Sequence, residues 1–269
     1  MSLSNPKLAK NAATEQELHD EFYAGLGLTD EQLMQAAAPS RLELYRHNPD
    51  RAFVPKQCQI AMLGDLTDKV VCDYACGDGA NSILLAANGA RKVLAFDISS
   101  SAVELTRRRA RLCGFEERIS VNLDDAENLS YESGSFDAIF GGAILHHLDV
   151  AKAAKEVRRV LKPGGVAVFC EPFDQSRLLA AMAKVVFAVT PLRPDAVSPQ
   201  RQLNDADIAL LRSIFSTVDV RPFGLFSRLE RIPGSQVVLR GLLRFDAMLL
   251  AGLPSLMSYA RYVVIGCRK

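Results

Sequence analysis

The chain has 269 residues, 49% of them hydrophobic and 23% charged, an ordinary balance for one large globular domain or for a core with a smaller appendage. Lys+Arg number 32 against 31 Asp+Glu, a formal net charge of +1, so no nucleic-acid partner is expected, because phosphate-backbone binders carry a basic stripe or a high pI. Cys58, Cys72, Cys76, Cys113, Cys170 and Cys267 show no Cys-x-x-Cys pair, and neither an apolar leader nor a run of about 18 apolar residues is present, so the expectation is a cytoplasmic protein with reduced thiols and no metal site.

In chain order, residues 14 to 64 read as two or three helices broken at "RHNPDRAFVP", and 1–64 is expected to form an N-terminal helical cap. From about 68 to 171, short apolar runs alternate with helical segments, the pattern of a parallel sheet with crossover helices. "KVVCDYA" is a first strand, "GANSILLAANG" a helix stopped by Gly89, and "KVLAFDIS" a second strand. A helix begun by Ser99 or Ser100 and closed by Gly114 follows, then strands in "RISVNLDDAENL" and "FDAIFGGAILHHL". Asp149 opens the next helix, Pro163-Gly164-Gly165 stops it, and "VAVFCEP" is a fifth strand. Beyond Pro172, an apolar helix, a capped helix "LNDADIALLRSIF", a strand "TVDVRPFG" and a last strand "ARYVVIGCRK" are predicted, with helical insertions at about 174–200 and 228–256. The fold class is therefore α/β, a doubly wound sheet over 65–269 with helical additions.

The stretch "VVCDYACGDGANS" ends a strand in a glycine turn that feeds a helix, a general cradle for anionic or polar ligands and by itself a weak signal. A dinucleotide would need a glycine where Ser82 stands. Asp73 at the strand end and Asp78 inside the turn would each repel a nearby phosphate, by about 4 kcal/mol at 4 Å and an effective dielectric of 20. A cationic or zwitterionic ligand suits the turn better.

The ordered set "VVCDYACGDGA", "LAFDIS", "DDAENL", "FDAIFGGAILHHL" and "LKPGG" resembles the class I S-adenosylmethionine-dependent methyltransferases over about residues 68 to 171. The resemblance implies a Rossmann-like sheet, mostly parallel with an antiparallel last strand, and S-adenosyl-L-methionine as cofactor, with S-adenosyl-L-homocysteine as product. It implies that Asp73 takes the methionine amino end, that Gly77 and Gly79 approach the cofactor by backbone with Cys76 lining the turn, and that Asp97 holds both ribose hydroxyls. Ile98 would pack on the adenine, Asp125-Ala126 would meet its amino group, and Gly141 with Gly142 would leave room beside the methionine. Ala75 replaces the first glycine of the usual pattern, which the turn is expected to survive if its φ is negative.

His146, His147 and Glu171 follow or end strands four and five, so all three are candidates to face a methyl acceptor, with Glu171 the leading substrate-facing acid. The Asn/Asp-Pro-Pro-aromatic step of amino-group DNA methyltransferases is absent, "GGAI" standing in its place, and so is a Pro-Cys nucleophile. A small, partly apolar acceptor is expected, methylated on oxygen, nitrogen or carbon. The two apolar insertions would close over the strand ends as a lid with the N-terminal helices; a homodimer contact and a peripheral membrane surface are their alternatives. Tyr23, Tyr45 and Asn48 are further contact candidates. The rival functions are a nicotinamide-dependent oxidoreductase and a non-catalytic scaffold.

Overall fold

A computed structural model describes residues 6–46, 54–173, 201–225, 245–246, 248–250 and 252–269. The first insertion, all but the end of the second, and Asn48 lie outside these described residues.

Seven strands make one sheet in the order β3-β2-β1-β4-β5-β7-β6. They are β1 (Val70–Tyr74), β2 (Lys92–Asp97), β3 (Ile119–Leu123), β4 (Phe136–Gly142), β5 (Leu161–Pro172), β6 (Thr217–Phe223) and β7 (Tyr262–Arg268). The first five pair in parallel, and β7 runs antiparallel between β5 and β6, as the resemblance implied. The strand order reverses between β1 and β4, and that switch point opens a crevice at the strands' C-terminal ends.

Alternation along the strands builds two cores. In β5, Val166 and Val168 face one and Ala167 and Phe169 the other, all buried, as expected of strands covered on both faces. One core is closed by α4 (Pro55–Leu63), α5 (Ala80–Ala87) and α6 (Ser100–Leu112), the other by α7 (Val150–Val160) and α8 (Asp205–Ile214). Caps set several boundaries where side chains announce them. Ser99 takes the Ala102 N–H, Asp149 those of Ala151 and Lys152, and Asn204 forms a capping box with Asp207. Strand β5 starts earlier than "VAVFCEP": Leu161 already pairs with Phe136, and Lys162 to Gly165 bulge out before pairing resumes at Val166.

The N-terminal helices divide between two tasks. Helix α4 packs directly on β4, β5 and β7, so it belongs to the sandwich itself and not to a cap ending at residue 64. Helices α1 (Pro6–Gly25) and α2 (Asp30–Met34) lean on α6, while α3 (Pro39–Leu44) follows a short 3-10 turn. The α1 attachment is electrostatic at its centre. Asp20 Oδ1 accepts from Ser99 Oγ (2.7 Å), Ser100 Oγ (3.1 Å) and the Ser101 N–H (3.0 Å) at the N-terminus of α6, where the helix dipole favours a carboxylate. No helix among the described residues is long and apolar enough to cross a membrane. Asp246, which interrupts an apolar stretch, is buried and accepts from the Gly224 and Leu225 N–H groups after β6.

Hydrogen bonds, first that from the Ser101 backbone, hold the Asp20 carboxyl below its ordinary value of 3.8. A group that binds its proton more weakly when folded stabilises the fold fully above its unfolded pKa and loses that contribution as pH falls through the folded one. Asp20→Ala is therefore expected to cost about 1 kcal/mol at neutral pH, with the deficit shrinking below pH 4, as urea melts at both pH values would record. A constant deficit would remove the charge from this contact.

Candidate active site

The turn after β1 departs from ordinary backbone at three alternate residues. Ala75, Gly77 and Gly79 have φ of 58°, 54° and 77°. The condition set for Ala75, a negative φ, is not met, yet the turn persists: alanine occupies the left-handed region itself, at a cost of about 1–2 kcal/mol. Surrounding bonds hold the path. The Cys76 N–H donates to the Phe96 carbonyl (2.8 Å), the Gly77 N–H to Asp97 Oδ2 (2.9 Å), and Thr106 Oγ1 to the Gly77 carbonyl (2.9 Å). A Cβ on Gly79 would lie 2.7 Å from Thr106 Oγ1 and 2.9 Å from its Cα, so α6 and the turn meet at backbone distance. On the outer side, a Cβ on Gly77 would lie 2.6 Å from Tyr23 Oη, which shows that α1 reaches over the turn.

A cleft of about 100 Å³ opens beside this turn. The predicted residues Asp97, Ile98, Asp125, Ala126 and His147 line it. Asp97 is 5% exposed, and burial raises its carboxyl above the ordinary value. Its Oδ1 and Oδ2 each accept one backbone N–H, from Ser99 and Gly77, which leaves each oxygen a lone pair for a hydroxyl. Asp125 Oδ1 takes the Glu127 N–H, and neighbouring Asp124, not singled out in the sequence, also lines the cleft while bonding Ser130. A second cleft of about 420 Å³ shares Gly142 and Ala143 with the first and is bounded by Tyr45, Lys56, Gln59, Asn81, Cys170 and Tyr262. Lys56 Nζ donates to Asn81 Oδ1 (2.7 Å), and burial lowers its pKa.

Several expected residues sit elsewhere than the strand pattern implied. Cys76 is 3% exposed with Sγ 3.5 Å from Thr106 Oγ1, so the thiol packs into the core behind the turn and does not line the cleft. Gly141 is buried, and a Cβ there would strike the Phe169 ring at 2.5 Å; its lack of a side chain serves strand packing, and Gly142 is the cleft residue. Asp73 is 1% exposed and accepts from Ser82 Oγ at 2.6 Å. Burial pushes its carboxyl up to about 7, against the hydrogen bond from Ser82 and the charge of Lys56.

Asp78 is not an unpaired acid in the turn. Its Oδ2 lies 3.0 Å from Arg109 Nη1, and its Oδ1 takes the Ala80 N–H at the start of α5. Repulsion of phosphate by Asp78 is thus largely cancelled, and Asp73 is partly protonated near neutrality. The electrostatic case against a dinucleotide is weaker than the sequence implied.

Glu171 is fully buried. One carboxylate oxygen accepts the N–H groups of Ile144 and Leu145 (2.9 and 3.0 Å), and the other meets His146 Nδ1 at 2.8 Å. It ties the loop after β4 to β5 instead of facing an acceptor, because the pleat at the strand end turns it under that loop. His146, 11% exposed, is its partner there. His147 alone of the three lines the cleft, with Nδ1 3.4 Å from Glu15 Oε1 on α1.

Glu15, His19 and Tyr23 also line the cleft. Their spacing of four along α1 puts them on one face of a helix, a polar stripe legible in the sequence, of which only Tyr23 was noticed.

Substituting Gly79→Ala adds both left-handed strain and a clash with the Thr106 backbone, whereas Gly134→Ala (φ 72°, open space) adds strain alone. The first is expected to destabilise by about 1–3 kcal/mol more than the second, read from urea midpoints; equal losses would show that α6 and the turn are not in close contact. A carboxyl raised by burial stabilises the fold fully below its unfolded pKa, and that contribution is lost as pH rises through the folded value. Asp73→Asn should therefore gain stability relative to the parent between pH 4 and 7 and level off above about 7. A difference flat in pH would mean that Asp73 is ionised in the fold.

A family model described as a methyltransferase domain matches residues 71–165. Methyltransferase GfsG of Streptomyces halstedii is 36% identical over 96 residues, 35% of this chain and 34% of that protein. Demethylmenaquinone methyltransferase of Clavibacter sepedonicus is 40% identical over 104 residues, 38% of this chain and 40% of that protein. The chain therefore spans about a third to two fifths of the length of these curated relatives. Among solved structures, geranyl diphosphate C-methyltransferase from Streptomyces coelicolor A3(2), in complex with Mg2+, geranyl diphosphate and S-adenosyl-L-homocysteine, superposes with a TM-score of 0.53 at 14% identity, covering 79% of this chain and 77% of that one. With the strand order, the turn and the acid ending β2, these matches show that residues 71–165 are similar to a methyltransferase domain.

Proposed function

We propose that the protein transfers a methyl group from S-adenosyl-L-methionine to oxygen, nitrogen or carbon of a small, partly apolar acceptor. The observation that carries this reading is Asp97. It ends β2 on the wall of the cleft, anchored by the glycine turn through the Gly77 N–H, with lone pairs left for a vicinal diol. Ile98, Phe96 and Ala126 add an apolar wall beside it, suited to a flat heterocycle. The cofactor, when bound, supplies an electrophilic methyl on a sulfonium.

The chain's own part is positioning. The turn and Asp97 would hold the nucleoside, while Asp73 behind the turn would serve the amino acid end. Alignment of acceptor and methyl can contribute about 7–11 kcal/mol without any protein group bonding to the reacting carbon. His147, at the cleft wall, is the candidate to take a proton from an acceptor that must lose one; His146 and Glu171 hold the loop that presents it. The relatives named for demethylmenaquinone and geranyl diphosphate support an acceptor with an apolar body. The second cleft, with Tyr45, Val54, Pro55 and Tyr262 on its walls, offers such a body a place beside the shared Gly142–Ala143 edge.

Calorimetry tests the cofactor assignment directly. S-adenosylhomocysteine is expected to bind and NAD(H) not to, and Asp97→Ala should weaken S-adenosylhomocysteine by about 1–3 kcal/mol, roughly 5- to 150-fold. Tight NAD(H) binding without S-adenosylhomocysteine would make the protein an oxidoreductase candidate. Methyl-labelled cofactor and a metabolite extract would then identify the acceptor, and persistent absence of labelled product would favour the scaffold.

A further inference from the structure

The geometry points to a divalent transition-metal site formed by Glu15, His19 and His147 at the wall of the cleft. No metal was expected from the sequence, because His147 lies 132 residues from Glu15 and only the fold brings it to the Glu15–His19 pair on α1. Each offers one ligand atom, and these atoms lie within 4.8 Å of one another. Around a tetrahedral ion with bonds of about 2.0–2.1 Å, ligand atoms stand about 3.3 Å apart. His147 Nδ1 and Glu15 Oε1 are already 3.4 Å apart, so His19 must approach by at most about 1.5 Å, within reach of a side-chain rotation.

The framework is defined on both sides. Glu15 and His19 are one turn apart on α1, which Asp20 pins to α6. His147 stands in the short 3-10 turn that Glu171 ties to β5, with its ring 4.2 Å from that of His146 and 5.6 Å from that of His19. All three ligands are half-buried, and all three line the cleft. The described residues lining the cleft include Asp97, Asp124 and Asp125 besides Glu15, and neither Lys nor Arg, so the local field favours a cation.

Two imidazoles and a carboxylate suit Zn2+, Fe2+ or Mn2+ better than the all-oxygen ions Mg2+ and Ca2+. Three protein ligands leave at least one coordination position for water or for an oxygen or nitrogen of a small molecule in the cleft. The ion would then fasten α1 to the β4 loop and orient an acceptor lone pair, and with His147 bound to it the proton of an acceptor that must lose one would pass to a metal-bound hydroxide in place of the imidazole. That orienting role rests on the methyltransferase reading, whereas binding of the ion does not.

Chelator-treated full chain titrated with Co2+, without nucleotide, is expected to bind one equivalent and to develop the visible bands of four- or five-coordinate cobalt, with no sulfur-to-cobalt charge transfer. His19→Ala and His147→Ala should each weaken binding at least 100-fold, and Glu15→Gln at least tenfold. Where a histidine variant fails to fold, as a thermal melt would reveal, the near-isosteric Glu15→Gln carries the test. Absence of the bands, thiolate charge transfer, or equal binding by all variants that fold would overturn the site. S-adenosylhomocysteine calorimetry on the same samples separates the two readings: retained binding of S-adenosylhomocysteine without cobalt sinks only the ion, and the reverse sinks only the cofactor assignment.

Discussion

Everything about the cleft depends on the hydrogen bond between Asp97 and the Gly77 N–H. The turn carries positive φ at Ala75, Gly77 and Gly79, a path that a free peptide would leave and that persists where surroundings over-determine it. Asp97 supplies one anchor, Thr106 a second from α6, and the Phe96 carbonyl a third through Cys76. Two of the three come from the neighbouring β2 segment, so the parallel register of β1 with β2 fixes the turn as well as the sheet. The same carboxylate stands on the cleft wall with capacity to spare, so a ligand's diol would meet an acceptor already held in place.

Buried or half-buried acids elsewhere perform the same kind of work. Glu171 fastens the loop after β4 by two backbone N–H groups and His146. Asp20 fastens α1 to the start of α6, and Asp78 pairs with Arg109 while accepting the Ala80 N–H. A carboxylate that accepts several N–H groups orders a loop at modest net cost, because the bonds offset its desolvation. As a result α1, the turn and the β4 loop are fixed relative to one another, and the cleft between them has defined walls. The suite of residues facing that cleft is acidic and imidazole-bearing, which favours cationic guests of either kind, a sulfonium or a metal ion.

The order of elements was legible because each leaves a local mark. Ser99, Asp149 and Asn204 are caps, Gly89 and Gly114 are stops with positive φ, and β1–β5 each carry a short apolar run. Asp97, Ile98 and Asp125-Ala126 were legible as cleft residues because they follow strand ends in a sheet whose handedness is constrained. Glu171 was misjudged for the same reason that it was noticed. A strand-end acid can turn toward a ligand or under the adjoining loop, and the loop's unpaired N–H groups decide between them. Cys76 and Gly141 likewise lie on the right segments, yet one side chain points into the core and the other position is filled by Phe169.

The sequence by itself determined the sheet, its crossovers and the glycine turn, since these follow from periodicity, caps and the conformational freedom of a few residues acting over short range. Tertiary structure decided which acids face the cleft and which hold the backbone, and it brought Glu15 and His19 to His147. Such choices depend on contacts between separate segments, 20 and 27 residues apart for Asp97 and Glu171 and 132 for Glu15 with His147, and a side chain's partner across such distances is set by packing geometry that no local pattern encodes.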